Sequence, residues 1–277
     1  MKIDTVITSF TNNPTYLEFV VPTCIAWKKL NNIIPKVAYI LCDNPEQDQL
    51  ILSGVEKANS DYGNFIDLCV YPRIQSIDYG IQGKITRMFL AASLKDNFSL
   101  IADIDMIPLN SNLIDFANDV PKDHIIQFGY DHPSFREQIN LGKWPMDKTI
   151  ASGKTFSDIV NPKNLEYEEL LTSWRGFPED SRTNVFNNFS NFSDESLLKC
   201  LYNRWEHKNT RTTKIKRHEV SVKCKCKPNE LYGRLYKQAH PTTENLDMNN
   251  YYEVHGPRPY SSNQSWYKPV IDYINKL

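Results

Sequence analysis

The stretch Ser99-Leu100-Ile101-Ala102-Asp103-Ile104-Asp105-Met106-Ile107-Pro108 sets two carboxylates two residues apart at the end of an apolar run. In an extended segment, residues i and i+2 point to the same side, about 7 Å apart along the chain. Carboxylates so placed repel each other and are costly to bury unless a cation lies between or beside them. A hard divalent ion with oxygen ligands, Mn²⁺ or Mg²⁺, meets that need at Asp103 and Asp105. Such an ion can also bridge the two phosphates of a nucleoside diphosphate and stabilise charge on a leaving group. The spacing alone is weak, because nineteen aspartates in 277 residues give about one such pair by chance. Its context strengthens it: the apolar strand runs into Asp103, and Pro108 is expected to stop that strand from continuing. The competing reading is a solvated turn pair.

A second group of candidates precedes it. In Asp78-Tyr79-Gly80-Ile81-Gln82-Gly83-Lys84-Ile85-Thr86-Arg87, Lys84 and Arg87 fall three residues apart on one helical face. A cationic pair at the start of a helix leading to the acidic strand is a candidate for ribose and phosphate contact. An ordinary exposed helical face is the alternative.

The elements that must hold these residues alternate between strand and helix. Strands are expected at Ile3 to Ser9, Val37 to Cys42, Ile66 to Tyr71 and Phe98 to Ala102. Helices are expected at Tyr16 to Leu30, despite Pro22 inside it, at Gln47 to Ala58 and at Gly83 to Leu94. That alternation predicts an α/β fold with a mostly parallel, doubly covered sheet. Ligands of such sheets bind beyond the carboxyl ends of the strands. Ser9, Thr11 and Asp43 stand there as candidates around a base and ribose, as do Asp103 and Asp105. After Pro108 the alternation breaks: a strand is expected at His124 to Gly129, residues 130–190 read as loop-rich, and Ser193 opens a helix. Glu219 to Lys227 alternates as an amphipathic strand, and a short helix ends the chain at Val270 to Asn275. The whole reads as one domain, with residues 1–109 as the binding half and 110–277 as the acceptor half with a closing segment.

In order and type of elements, residues 3–109 resemble the GT-A class of nucleotide-sugar glycosyltransferases, with glycogenin-like and lipopolysaccharide galactosyltransferase features. The resemblance implies a Rossmann-type sandwich with a mixed, mostly parallel central sheet. It implies a nucleoside-diphosphate sugar as donor, a UDP-sugar first and a GDP-sugar second, and a glycan or other hydroxyl as acceptor. The family commonly carries an acidic pair on a later helix, facing the acceptor. Asp194 and Glu195, after Ser193, match it as a general base or as acceptor-positioning groups, although helix capping explains Ser193 and Asp194 equally well. Members of the glycogenin-like type bring back a C-terminal histidine as a further metal ligand, in a pattern of His, Gly, then Lys-Pro. Here His255 and Gly256 are followed by Lys268-Pro269 at a longer spacing, so His255 is the candidate ligand and Lys268 or Arg258 the cation closing over the diphosphate. Ala151 to Phe156 matches a small-residue loop near the donor sugar. Trp144 and Trp174 are either sugar-stacking rings or core.

Composition excludes several classes. The formal net charge is −1, which supplies no global field for nucleic acid. There is no G-x-x-x-x-G-K-[ST] or G-x-G-x-x-G segment. No charged-then-apolar leader opens the sequence, and no apolar run approaches the roughly 20 residues of a membrane helix, so a cytoplasmic location is expected. Cys24, Cys42, Cys69, Cys200, Cys224 and Cys226 read mostly as small core residues. The basic run from Arg204 to Lys227 is either a solvated face or a docking surface for an anionic acceptor or a membrane. The rival functions are a sugar-nucleotide nucleotidyltransferase, which would want a Gly-rich loop absent from Ile7 to Asn13, and a non-catalytic carbohydrate- or partner-binding module.

Overall fold

The computed structural model describes residues 2–110, 114–128, 144, 146, 148–174, 193–216, 234–236, 242–244 and 246–276. The four expected N-terminal strands form as β1 (Thr5–Phe10), β2 (Lys36–Ile40), β3 (Asp67–Tyr71) and β4 (Phe98–Ile101). Between them run α1 (Pro14–Leu17), α2 (Val20–Asn31), α3 (Pro45–Tyr62) and α4 (Tyr79–Ser93).

Local chemistry explains most boundaries. Asn44 caps α3 by accepting from the Gln47 amide, Pro45 fills the first turn where its missing N–H costs nothing, and Gly63 ends the helix at φ 74°. Asp78 caps α4 through the Ile81 amide. The single helix expected over Tyr16 to Leu30 is two helices. Asn13 caps the short α1, and α2 restarts at Val20, which leaves Pro22 in a first turn that tolerates it.

β1 pairs in parallel with β2 on one side and β4 on the other, and β2 pairs in parallel with β3. Beyond β4 come β7 (Thr149–Ser152), antiparallel to it, then β6 (Ile125–Phe128) and β8 (Thr212–Ile215). The sheet is therefore mixed and mostly parallel, in the order β3-β2-β1-β4-β7-β6-β8. A small second sheet places β10 (Glu253–His255) between β5 (Ile107–Pro108) and β9 (Arg234–Tyr236). On one face of the main sheet, Ile7, Ala38, Ile101 and Ala151 pack under α4, α5 (Gly153–Val160), α6 (Tyr167–Ser173) and α7 (Ser193–Arg204). On the other, Val37 and Tyr39 pack with α2, α3, the second sheet and α8 (Gln264–Lys276).

Three expectations are corrected. Residues 149–173, read as loop, hold β7, α5 and α6. Ala151 to Phe156 is no donor-side loop: Ser152 pairs with Phe98, at the end of β4 opposite Asp103. Pro108 is not what stops β4, which ends at Ile101; it is the last residue of β5, an edge strand of the small sheet, where a missing N–H is tolerated. Trp144 and Trp174 are fully buried core residues. The expected strand Glu219 to Lys227, with Cys224 and Cys226, lies outside the described residues. Cys24 is buried, and Cys42, Cys69 and Cys200 are partly so. Among the described residues no helix is long and apolar enough to cross a membrane.

Two glycines give a test of the packing. A Cβ at Gly153 would sit 1.9 Å from the Leu94 carbonyl oxygen, whereas one at Gly54, on the exposed side of α3, meets nothing within 4 Å. Gly153→Ala is expected to lower stability by about 1–3 kcal/mol, and Gly54→Ala to raise it by about 0.5–1 kcal/mol. Urea unfolding midpoints of the two variants check both signs.

Candidate active site

The chain leaves β1 toward β2 on one side and returns to β4 on the other, so the crevice beyond their carboxyl ends is the switch point of the sheet. Asp103 stands there, two residues past β4. The acidic segment is a turn rather than an extended run, closed by the Met106 amide donating to the Asp103 carbonyl at 3.2 Å. Residues Asp103 and Asp105 therefore do not project side by side as a strand would place them. The turn is held from below by Thr23 of α2, whose hydroxyl donates to the Ile104 carbonyl at 2.7 Å. That support gave no sequence signal, since Thr23 lies 81 residues away.

Each acidic side chain has a cation of its own. Arg87 is buried and donates from Nη1 to the Asp103 carboxylate at 2.5 Å and to the Ala102 carbonyl at 2.9 Å. From Nη2 it donates to the Asp194 carboxylate at 2.8 Å. Burial alone would depress the guanidinium, but Asp103 and then Asp194 outweigh it and hold the group charged, well above its usual range. Arg87 is thus a buried bridge between Asp103 and Asp194, where the helical spacing suggests a partner of Lys84 in ribose and phosphate contact. Lys84 is half-buried one turn earlier.

Asp105 is nearly buried, with His255 Nε2 at 3.4 Å and Arg258 Nη1 at 3.3 Å from its Oδ2. Burial pushes its carboxyl up, and His255 followed by Arg258 bring it net below the usual range. Arg258 also donates to the Tyr16 hydroxyl and lies over that ring, 5.3 Å from its centroid. His255 reaches the turn because Gly256 lets β10 run against α8: a Cβ there would lie 2.4 Å from the Tyr267 hydroxyl and 2.5 Å from the Trp266 ring.

Around this centre the other candidates divide. Ser9, at the end of β1, and Thr11 are half-buried at the crevice. Thr11 closes onto α4 where a Cβ at Gly83 would come within 2.8 Å of its methyl group. Asp43 is exposed, in a left-handed conformation at φ 62°, and accepts from Gln75 at 2.6 Å. The loop between them is set by residues that sequence reasoning missed. Asp48 accepts from the Cys42 amide at 3.0 Å and from the Tyr39 hydroxyl. Tyr79, its phenol pushed up to about 12 by burial, donates to the Ile40 carbonyl and accepts from the Asn12 amide. Asp194 is buried and committed to Arg87, whereas Glu195 beside it is half-buried. Lys268 is not brought to the site: its side chain is 72% exposed and pairs with Asp272 on its own helix. Of the basic run, Lys208 and Lys214 act on Lys199, whose ammonium is lowered by burial first and by those two charges next. Residues 217–227 of that run lie outside the described residues.

Two carboxylates and an imidazole suit a hard divalent ion in donor chemistry. In the described residues Asp105 and His255 converge, but no three His, Cys, Asp or Glu side chains gather closely enough to hold an ion as they stand.

No family model matches the sequence, and no curated protein is significantly similar to it. Among solved structures, an active-site mutant of LgtC aligns at 11% identity and a TM-score of 0.53, over 98% of this chain and 95% of that one. The galactosyltransferase LgtC in complex with donor and acceptor sugar analogs aligns at 11% identity and a TM-score of 0.49, over 99% and 96%. A glycosyltransferase involved in glycosylating the major capsid of PBCV-1 aligns at 12% identity and 0.43, over 91% and 93%. Only the first exceeds 0.5, and it bears on the fold alone. The fold is that of a GT-A-type glycosyltransferase.

Two cations expected at the site, Arg87 and Lys268, are predicted to behave oppositely on mutation. Arg87→Met leaves the buried Asp194 charge uncompensated and is expected to cost about 3–5 kcal/mol. Lys268→Met removes only an exposed i,i+4 pair and is expected to change stability by under about 0.5 kcal/mol. Equilibrium urea unfolding of the two variants decides it.

Proposed function

We propose that this protein moves a sugar from a nucleoside-diphosphate sugar to an acceptor hydroxyl, in the crevice at the ends of β1 and β4. The observation that carries the reading is the meeting of Asp105 with His255 and Arg258 beside Asp103, at the switch point of a GT-A-type sheet. Strand ends, the acidic turn and the C-terminal segment converge on one place, from sequence positions about as far apart as the chain allows.

In this reading Ser9, Thr11 and Asp43 line the base and ribose, a UDP-sugar being the first donor to try and a GDP-sugar the second. Asp103, Asp105 and His255 are the proposed ligands of Mn²⁺ or Mg²⁺. Bound there, such an ion supplies positive charge against the diphosphate leaving group. Lys84 and Arg258 add cationic contacts to the phosphates, with Arg258 taking the place expected of Lys268. Arg87 holds Asp103 and Asp194 in fixed positions, which leaves Glu195 as the acid beside the acceptor. Its carboxylate orients the attacking hydroxyl or takes its proton as the bond from the sugar carbon to the diphosphate breaks and the bond to the acceptor oxygen forms. The acceptor is a glycan or another hydroxyl compound. The cationic cluster of Lys199, Lys208 and Lys214 is proposed to receive an anionic acceptor or membrane surface.

Thermal unfolding with UDP or GDP, with and without Mn²⁺, tests the donor site. A nucleotide at a hundred times its dissociation constant is expected to stabilise the protein by about 2.7 kcal/mol, only with the metal, and not at all in Asp103→Ala. No response to either nucleotide under any metal sinks the reading and favours a non-catalytic binding module. Glu195→Gln is expected to keep the nucleotide response while slowing release of UDP from a UDP-sugar by about 10²–10⁴-fold. Loss of both together would assign Glu195 to binding instead.

A further inference from the structure

Besides Arg87–Asp194, the only charged pair of the described residues with both side chains no more than 5% exposed is Lys148–Glu253. The two groups come from different sheets. Lys148 immediately precedes β7, and its amide donates to the Ile101 carbonyl at 2.8 Å, at the last residue of β4 before the acidic turn. Glu253 begins β10 and pairs with Pro108 of β5, the strand that follows the acidic turn. The pair therefore ties the strand that enters the turn to the strand that leaves it.

It also fixes the partner of the turn. Glu253 and His255 are two residues apart on the same strand, so they share a side of β10. One reaches Lys148 and the other reaches Asp105. A buried ion pair is a poor choice for stability alone, because well-packed apolar side chains of similar size do as well or better. Here the choice is reinforced twice. Lys148 adopts a left-handed backbone at φ 63°, a conformation that costs any residue with a Cβ. Its ammonium also lies 5.4 Å from the ring centroids of both Phe128, in the main sheet, and Tyr252, beside Glu253.

We propose that Lys148 and Glu253 are positioning residues for the ligand site, setting the reach of His255 to Asp105 by stapling the strands on either side of the acidic turn. The proposal rests on reading Asp103, Asp105 and His255 as that site. The test is isothermal calorimetry of Mn²⁺ alone, then of UDP and GDP in saturating Mn²⁺, alongside urea unfolding. The variants are the double replacement K148M/E253L and the single E253Q, which keeps the shape and an acceptor oxygen if the double variant fails to fold. The expected result is a Mn²⁺ affinity reduced about 10–100-fold, the range for groups that orient ligands without touching the ion, with the double variant's unfolding midpoint kept or raised. Hydrogen exchange at residues 101–108 and 253–255 should rise in the same variants. Unchanged Mn²⁺ affinity with lowered stability overturns the proposal, because the pair is then structural only. A wild-type protein that binds neither Mn²⁺ nor nucleotide overturns the site assignment itself, and with it this proposal, and that failure is recognised before any variant is made.

Discussion

One buried guanidinium constrains the rest of the site. Arg87 joins the middle of α4, the end of β4 and the first turn of α7, which are brought together only in the folded chain. Its charge is held in the interior by two carboxylates, and each of those carboxylates depends on it in turn. Arg87 and Asp194, each 5% exposed, cannot part without leaving a buried charge uncompensated, whereas Asp103 is 34% exposed and reaches the crevice. The position of Asp194 is thereby fixed to that of Asp103, and Glu195, the next residue on the helix, inherits a defined place relative to the acidic turn.

The second carboxylate meets the same demand from the other end of the chain. Asp105 is as buried as Asp194, but its partners His255 and Arg258 arrive on a C-terminal segment. The difference lies in exposure: the Arg87 side chain is 5% exposed and that of Arg258 39%. A guanidinium already two-fifths in water can change partners at little desolvation cost, while a buried one cannot. The crevice therefore has a buried, mutually committed pair, Arg87 with Asp194, on one side and a more exposed cation, Arg258, on the other.

Much of this was legible in the sequence, and the failures have physical causes. The first four strands and the polar residues at their ends were readable because period and breakers are local signals, and Asp103 and Asp105 followed from them. Residues 149–173 were misread because four-residue strands and seven- or eight-residue helices give too few repeats for a period to stand out. The single helix over Tyr16 to Leu30 failed because apolar spacing continues across the restart at Val20. Arg87 reads as a candidate for ribose and phosphate contact because i,i+3 spacing names a face without saying what covers it, and its cover, Asp194, lies 107 residues away. Thr23, Asp48, Lys148 and Glu253 were invisible for the same reason: a residue that acts by reaching a distant backbone or charge leaves no local pattern.

The electrostatic case for a bound cation changes accordingly. Repulsion between Asp103 and Asp105 does not require a metal, since each already faces an arginine. Under the proposed reading the case for an ion comes instead from the diphosphate of the donor. Asp103, Asp105 and Asp194 against Arg87 and Arg258 leave one negative charge in excess, and Lys84 and Glu195 add one of each sign. A crevice of that sign repels a diphosphate. A divalent ion on Asp105 reverses the sign where a nucleoside diphosphate would bind, so under this arrangement metal and nucleotide should bind as a unit rather than in succession. The arginines neutralise the acidic turn by themselves, so under the proposed reading the ion's part is played toward the diphosphate rather than toward the two aspartates.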